Sequence, residues 1–151
     1  MHEVEREKAP VRNSEPSTIS FSPGLIAFEK LRYYALSENT YYPYFKWLQS
    51  LEKPEVSFLL VDPFFIKSDY SIELNEQIME ELQIERPQDV MIYTIVTVPQ
   101  TGLKDATTNL VGPLVINWPK KIGRQVIVER GDLAIKYPLL NDSLKKLSCG
   151  G

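Results

Sequence analysis

The sequence predicts a mainly β fold: a small antiparallel β-barrel-like domain with one short helix. Short runs rich in Val, Ile, Thr and aromatic residues recur about every ten residues, separated by Pro, Gly and Asn/Asp signals, as in closed or sandwiched β domains. Only one stretch carries a capped helical stripe, and there is no βαβ alternation of the kind that builds a parallel sheet around a cofactor. The 151 residues suffice for one domain, with 43% apolar and 25% charged residues and 11 prolines. A chain of that length buries on the order of 70% of its unfolded surface without needing a disulfide.

In chain order, residues 1–16 are charged and aperiodic and read as a flexible arm, so the β domain spans 17–139 and residues 140–151 form a tail. Ser17 to Phe21 reads as a strand, broken by Ser22-Pro23-Gly24. Leu25 to Leu31 has room for a turn or two of helix, and Arg32 to Leu36 returns to extended structure. Phe45 to Leu51 and Val56 to Val61 flank a Lys53-Pro54 turn, which makes a hairpin because proline fixes φ and cannot donate to a ladder. The second of these runs is apolar on both faces and belongs in the middle of a sheet. Trp47, Phe58 and Tyr93 are bulky enough to help fill a small barrel. Tyr70 to Leu74 alternates as a strand with Tyr70, Ile72 and Leu74 inward.

Asn75 can cap a helix of about ten residues with Ile78, Met79 and Leu82 on one side and Pro87 at its end. Further strands follow at Val90 to Val98, Leu114 to Trp118 and Arg124 to Glu129, with a last short segment at Leu133 to Tyr137.

Chemistry is sparse. His2, the single histidine, lies in the arm and Cys149, the single cysteine, in the tail, so neither a Cys-His pair nor a protein zinc site can be assembled. Asp62, Asp69 and Glu73 stand near strand ends, but Asp before Pro63 is a turn former and no phosphate loop or metal-ligand spacing accompanies them. No cofactor is implied. The charged N-terminus lacks the apolar core of a secretory signal and no run approaches the roughly 18 apolar residues of a membrane span, which points to the cytoplasm. A net charge of −3 disfavours direct nucleic-acid binding and suits a basic protein partner.

Four residues stand out as candidate contacts. Asn109 and Asn117 lie beside or within apolar runs, where an amide either braces a loop or meets a partner. Phe64 and Phe65 follow Asp62-Pro63 in a connection in which three bulky residues cannot all face one core.

The motifs W-L-Q-S at Trp47 to Ser50, V-D-P at Val61 to Pro63, and T-x-N-L-x-x-P-x-V-I-N at Thr107 to Asn117 are similar, in order and spacing, to those of the flagellar assembly factor FliW. The resemblance runs from about Ile19 to Leu139. It implies a β-barrel-like fold and a non-enzymatic role: binding newly made flagellin and, once flagellin is exported, binding the translational regulator CsrA to relieve repression of flagellin translation. A chaperone that only shields flagellin overlaps with this reading. The rival class is a small ligand-binding barrel or hydrolase, whose sign would be a deep pocket with convergent polar groups. The chain departs from the family's I-x-F-P-x-G-L-P-G-F-E opening by carrying Ile26-Ala27 in place of the second Pro-Gly, so the loop there should be less turn-like. Near the other end it keeps a basic-x-Pro-Leu pattern at Lys136 to Leu139, with Tyr137 where histidine is frequent.

Overall fold

The structure is a computed structural model that describes residues 16–39 and 42–140. The expected arm (bar Pro16) and tail (bar Leu140), with His2 and Cys149, lie outside the described residues. Among the described residues nine strands occur in the order β1 (Ser17–Phe21), β2 (Tyr33–Glu38), β3 (Phe45–Ser50), β4 (Ser57–Val61), β5 (Val90–Thr97), β6 (Thr107–Thr108), β7 (Leu114–Asn117), β8 (Ile122–Gln125) and β9 (Tyr137–Pro138). The first four form an antiparallel meander, β4 pairs with β5, β5 with β7, and β7 with β8. The circle closes where β8 meets β1. Seven strands therefore make the barrel, while β6 extends the β7 edge of β5 and carries β9.

The closing pair, with Ser20 opposite Ile122 and Phe21 opposite Gly123, is parallel, so the barrel is antiparallel everywhere except at this seam. Parallel neighbours need a long connection, and here the rest of the barrel supplies it. Gly123 is required at the seam: a Cβ there would lie 2.8 Å from the Phe21 ring and 3.1 Å from Ile116.

The hairpin expected at Pro54 is β3–β4, running from the Phe45–Val61 pair to the Gln49–Ser57 pair. As its doubly apolar pattern predicts, β4 is paired on both edges. Inside the barrel, Ile19, Phe21, Tyr34, Leu48, Leu60, Leu114 and Ile116 are buried, with Phe58 packed against them.

Several expectations need correction. Leu25 to Leu31 is not helical; Leu25 and Phe28 instead bridge across a tight turn, Phe28 N–H donating to the Leu25 carbonyl at 2.8 Å. That turn is retained without the glycine, because Ala27 itself adopts φ 77°, a left-handed conformation that costs a residue with a Cβ about 1–2 kcal/mol. Tyr70 to Leu74 forms no ladder, although Tyr70 and Ile72 are buried as its alternation requires. The strand expected at Arg124 to Glu129 stops at Gln125, beyond which single bonds from Val126 N–H to Pro113 and Val128 N–H to Val111 hold the chain. Trp47 is not in the barrel: β3 buries Lys46, Leu48 and Ser50, and Trp47 points outward, 43% exposed.

Two short helices replace the expected one. α1 (Pro63–Ile66) is a single turn started by Asp62, whose carboxylate accepts from Phe64 N–H at 2.9 Å with Pro63 in the first position. α2 (Glu76–Glu81) begins where expected, Asn75 accepting from Ile78 N–H at 2.8 Å, but is six residues long. Leu82 leaves helical geometry and Gln83 follows at φ 55°, an end in the left-handed region several residues before Pro87.

Candidate functional site

Around the barrel the outer surface has two characters. Over β5 and β7, the outward residues Val90, Ile92 and Val115 are covered by Tyr70, Ile72, Ile78, Leu82 and Leu110. Next to them, Val61 and Val96 are covered by Ile66, Ala106 and Leu139, with Phe65 and Tyr137 at the margin. Apart from Phe45 and Leu59, which are half-buried against that second cluster, the outer face of β2, β3 and the first part of β4 has no such cover among the described residues. Alternation and register place Ser37, Trp47 and Leu59 in one row across it and Ala35, Gln49 and Ser57 in the next.

Phe64 and Phe65 both sit on α1 and both are half-buried. They diverge. Phe64 meets the edge of Tyr70 (centroids 5.7 Å apart) within the β5–β7 cover, whereas Phe65 stacks on Tyr44 at 3.9 Å and 8° between planes. α1 thus ties the two covers together and leaves part of each ring accessible.

Asn109 organises the turn into β7. Its Oδ1 accepts from Val111 N–H at 2.9 Å and Gly112 N–H at 3.1 Å, the local bonding for which short amides are selected in turns. The Gln125 side chain donates to the Gly112 carbonyl at 2.9 Å and accepts from Ile26 N–H at 3.0 Å, so the Asn109 turn and the Leu25–Phe28 turn share one brace. Tyr70 Oη donates to the Leu110 carbonyl at 2.8 Å, which links Phe64, through Tyr70, to the residue beside Asn109. Burial raises the Tyr70 pKa above the ordinary tyrosine value, with the nearby Arg130 charge opposing the shift. The hydroxyl is held as a donor.

Asn117 stands at the far end of β7 and is 1% exposed. Its Nδ2 donates to the carbonyls of Leu82 at 2.8 Å and Gln83 at 3.0 Å, satisfying the C-terminal carbonyls of α2 that the helix leaves open. Of the four candidates, the structure links Phe64 to the Asn109 turn, carries Phe65 to the neighbouring cluster, and sets Asn117 apart as the residue that docks α2.

The barrel mouth beyond β3 holds a feature the sequence reading missed. Lys46 is buried on the inner face, and its Nζ donates to Glu38 at 2.7 Å and to the Pro43 carbonyl at 3.0 Å. A lysine alternating with Leu48 and Ser50 gave no sign of facing inward, because Phe45 and Trp47 on the other side are the more apolar pair. Its legible partner was Glu38 near the end of the preceding β-rich run.

Asp69 is exposed and paired with Lys67 at 2.6 Å, which holds its pKa below the usual carboxylate value; Glu73 is exposed as well. Asp62 serves as the helix cap of α1. Among the described residues no group of three His, Cys, Asp or Glu side chains could hold a metal. A cleft of about 310 Å³ lies between Ser20, Ser22, Leu82, Gln83 and Ile122, with Glu81, the ion-pair partner of Arg124, also in its lining. No helix among the described residues is long and apolar enough to cross a membrane.

A model of the FliW protein family matches residues 4–139. The chain is 40% identical over 128 residues to the flagellar assembly factor FliW of Moorella thermoacetica, covering 83% of this chain and 79% of the relative. It is 36% identical over 129 residues to that of Natranaerobius thermophilus, covering 85% of each. The crystal structure of a flagellar assembly factor FliW superposes with a TM-score of 0.76 at 32% identity, over 88% of this chain and 91% of that one.

Proposed function

The chain belongs to the FliW family of flagellar assembly factors, and on that premise we propose that it acts as a non-enzymatic partner-switching protein in the cytoplasm, where flagellin is made. It binds newly synthesised flagellin. When flagellin is exported, the freed protein binds CsrA and relieves its repression of flagellin translation. The observation that carries this reading is the agreement with flagellar assembly factors across the whole barrel rather than at one motif.

Physical features support it. The interior is filled by aromatic and aliphatic side chains, as a scaffold for surface contacts requires, and the net charge of −3 complements a basic RNA-binding partner. Contact falls to Phe64 and Phe65, whose rings are partly accessible, and to the turn that Asn109 shapes. Asn117 contributes by fixing the α2 corner on which its two carbonyl partners lie.

Titration calorimetry of the protein against CsrA of the same bacterium, with flagellin-leader RNA in place of CsrA as control, tests the reading. Saturable binding to CsrA with none to RNA is expected, and its on-rate should fall with salt. RNA binding comparable to that of CsrA would overturn it.

A further inference from the structure

The central rows of the outer face of β2–β4 carry no charge, and the nearest carboxylate, Glu52, stands at its Tyr33–Leu51 end, accepting from Tyr33 N–H at 3.0 Å. Ser37, Trp47 and Leu59 form its central row, ending on Val96 of β5; Ala35, Gln49 and Ser57 form the next. Beyond them Tyr33 and Leu51, each 50% exposed, continue the surface, with Leu51 N–H donating to the Tyr33 carbonyl at 2.8 Å. Charged residues make up 25% of the chain, yet the two charges within these strands, Glu38 and Lys46, both fall on the opposite, inward side and pair there. A solvated protein surface ordinarily mixes Lys, Arg, Glu and Asp throughout, so an apolar, charge-free tract has the composition of an interface centre.

Three properties define what fits it. First, β3 at the centre of the tract is paired along its length on both edges, and β2 and β4 along most of theirs, so the tract offers no continuous strand edge to an added strand. A partner must bring side chains. Second, the tract spans about three strand spacings and two or three outward residues along each strand, on the order of 300 Å², whereas a stable dimer needs about 800 Å² from each partner. It accommodates one narrow element, and a helix about 10 Å across matches its width. Third, with no charge in the central rows, any charge placed over Trp47 would lose water without gaining a counter-ion, so the incoming stripe must be uncharged.

We propose that this face is a docking surface for a single amphipathic helix of a protein partner, seated with its apolar stripe on Trp47 and Leu59. The proposal deepens the functional reading above and rests on it for the identity of the probes, flagellin and CsrA.

Trp118 is the only other tryptophan, so Trp118→Phe makes Trp47 the sole indole reporter. In that background, flagellin and CsrA from the same bacterium are titrated separately while Trp47 emission and the partner's amide exchange are followed. The expected result is a blue shift with at least one partner, protection of one contiguous segment of that partner, and loss of its binding when proline is placed mid-segment. Trp47→Glu should weaken that binding at least tenfold, and so should Ser37→Lys, which keeps the indole and adds one charge beside it; both variants should melt within a few degrees of the parent. If a partner binds with Trp47 emission unchanged and neither variant affects affinity, the surface assignment falls while the functional reading stands. If neither partner binds the unsubstituted protein, the functional reading falls and the docking proposal with it. A Trp47 shift that follows protein concentration alone would assign the face to a second copy. One produced by deleting residues 141–151 would assign it to this chain's own terminus. Either result overturns the proposal.

Discussion

Two outer faces of one barrel meet at β4 and β5 and are solved in opposite ways. Over β5 and β7 the chain between β4 and β5 doubles back and buries Val90, Ile92 and Val115 beneath Tyr70, Ile72 and Leu82, so those strands are apolar on both sides. Over β2 and β3 no described segment returns; the inner side holds Leu48 and a paired Lys46, while the outer side presents Trp47, 43% exposed. Apolar area removed from water stabilises a fold at about 25 cal/mol per Å², so the first face works for folding and the second leaves part of that gain unused. An indole kept half in water with no charge around it is a surface available to another molecule.

The sharpest way to break this comparison is to truncate neighbours on the two sides of β3. Leu48→Ala should cost about 2–5 kcal/mol in chemical unfolding, since Leu48 is fully buried within the barrel. Trp47→Ala, despite removing a larger side chain, should cost on the order of 1 kcal/mol. Equal losses would place Trp47 in the folding core after all.

Asn117→Ala tests the corner that holds the covered face together. It deletes the donor to the Leu82 and Gln83 carbonyls, and a loss of about 1–3 kcal/mol is expected by the same measurement. Asn117→Asp should be no better, because a carboxylate also lacks the N–H.

Buried hydroxyls give a smaller contrast. Tyr70 Oη has a carbonyl acceptor, while Tyr34 Oη is buried without a hydrogen-bond partner among the described residues. Tyr70→Phe should therefore cost about 1 kcal/mol and Tyr34→Phe close to nothing, or stabilise slightly. Burial, and for Tyr34 secondarily the Glu52 charge, raises both pKa values. A tyrosine raised in the folded state contributes its full stability below the unfolded value near pH 10 and loses it as pH climbs toward the folded value. Alkaline melts should decline from about pH 10, less steeply in Tyr70→Phe. The smallest effect expected is a gain: Ala27→Gly should stabilise by up to about 1 kcal/mol, by relieving the left-handed residue.

These contrasts also show what a sequence reveals. The hairpin, the doubly apolar β4, the Asn75 cap and the Asp62-Pro63 bond were legible because each depends on neighbours within a few residues. Trp47 was misplaced because alternation defines two faces of a strand without saying which is inward; on β3 the more apolar pair faces out, while Leu48 packs into the barrel core and Lys46 on the same side pairs with Glu38 across the ladder. Asn117 was singled out as a buried-or-binding amide, but its acceptors lie 34 and 35 residues away in sequence. The turn at Ala27 persisted without glycine because flanking contacts hold it: the Leu25–Phe28 bridge, Gln125 accepting from Ile26 N–H, and Glu29 accepting from Ala27 N–H.

Switching between partners requires that binding one lowers affinity for the other, and linkage makes that coupling equal in both directions. The most direct measurement is therefore the affinity for CsrA, by titration calorimetry, with and without saturating flagellin. At least a tenfold weakening by flagellin, matched by the same loss of flagellin affinity when CsrA is saturating, is the predicted result. A stable ternary complex with unchanged affinities would contradict it.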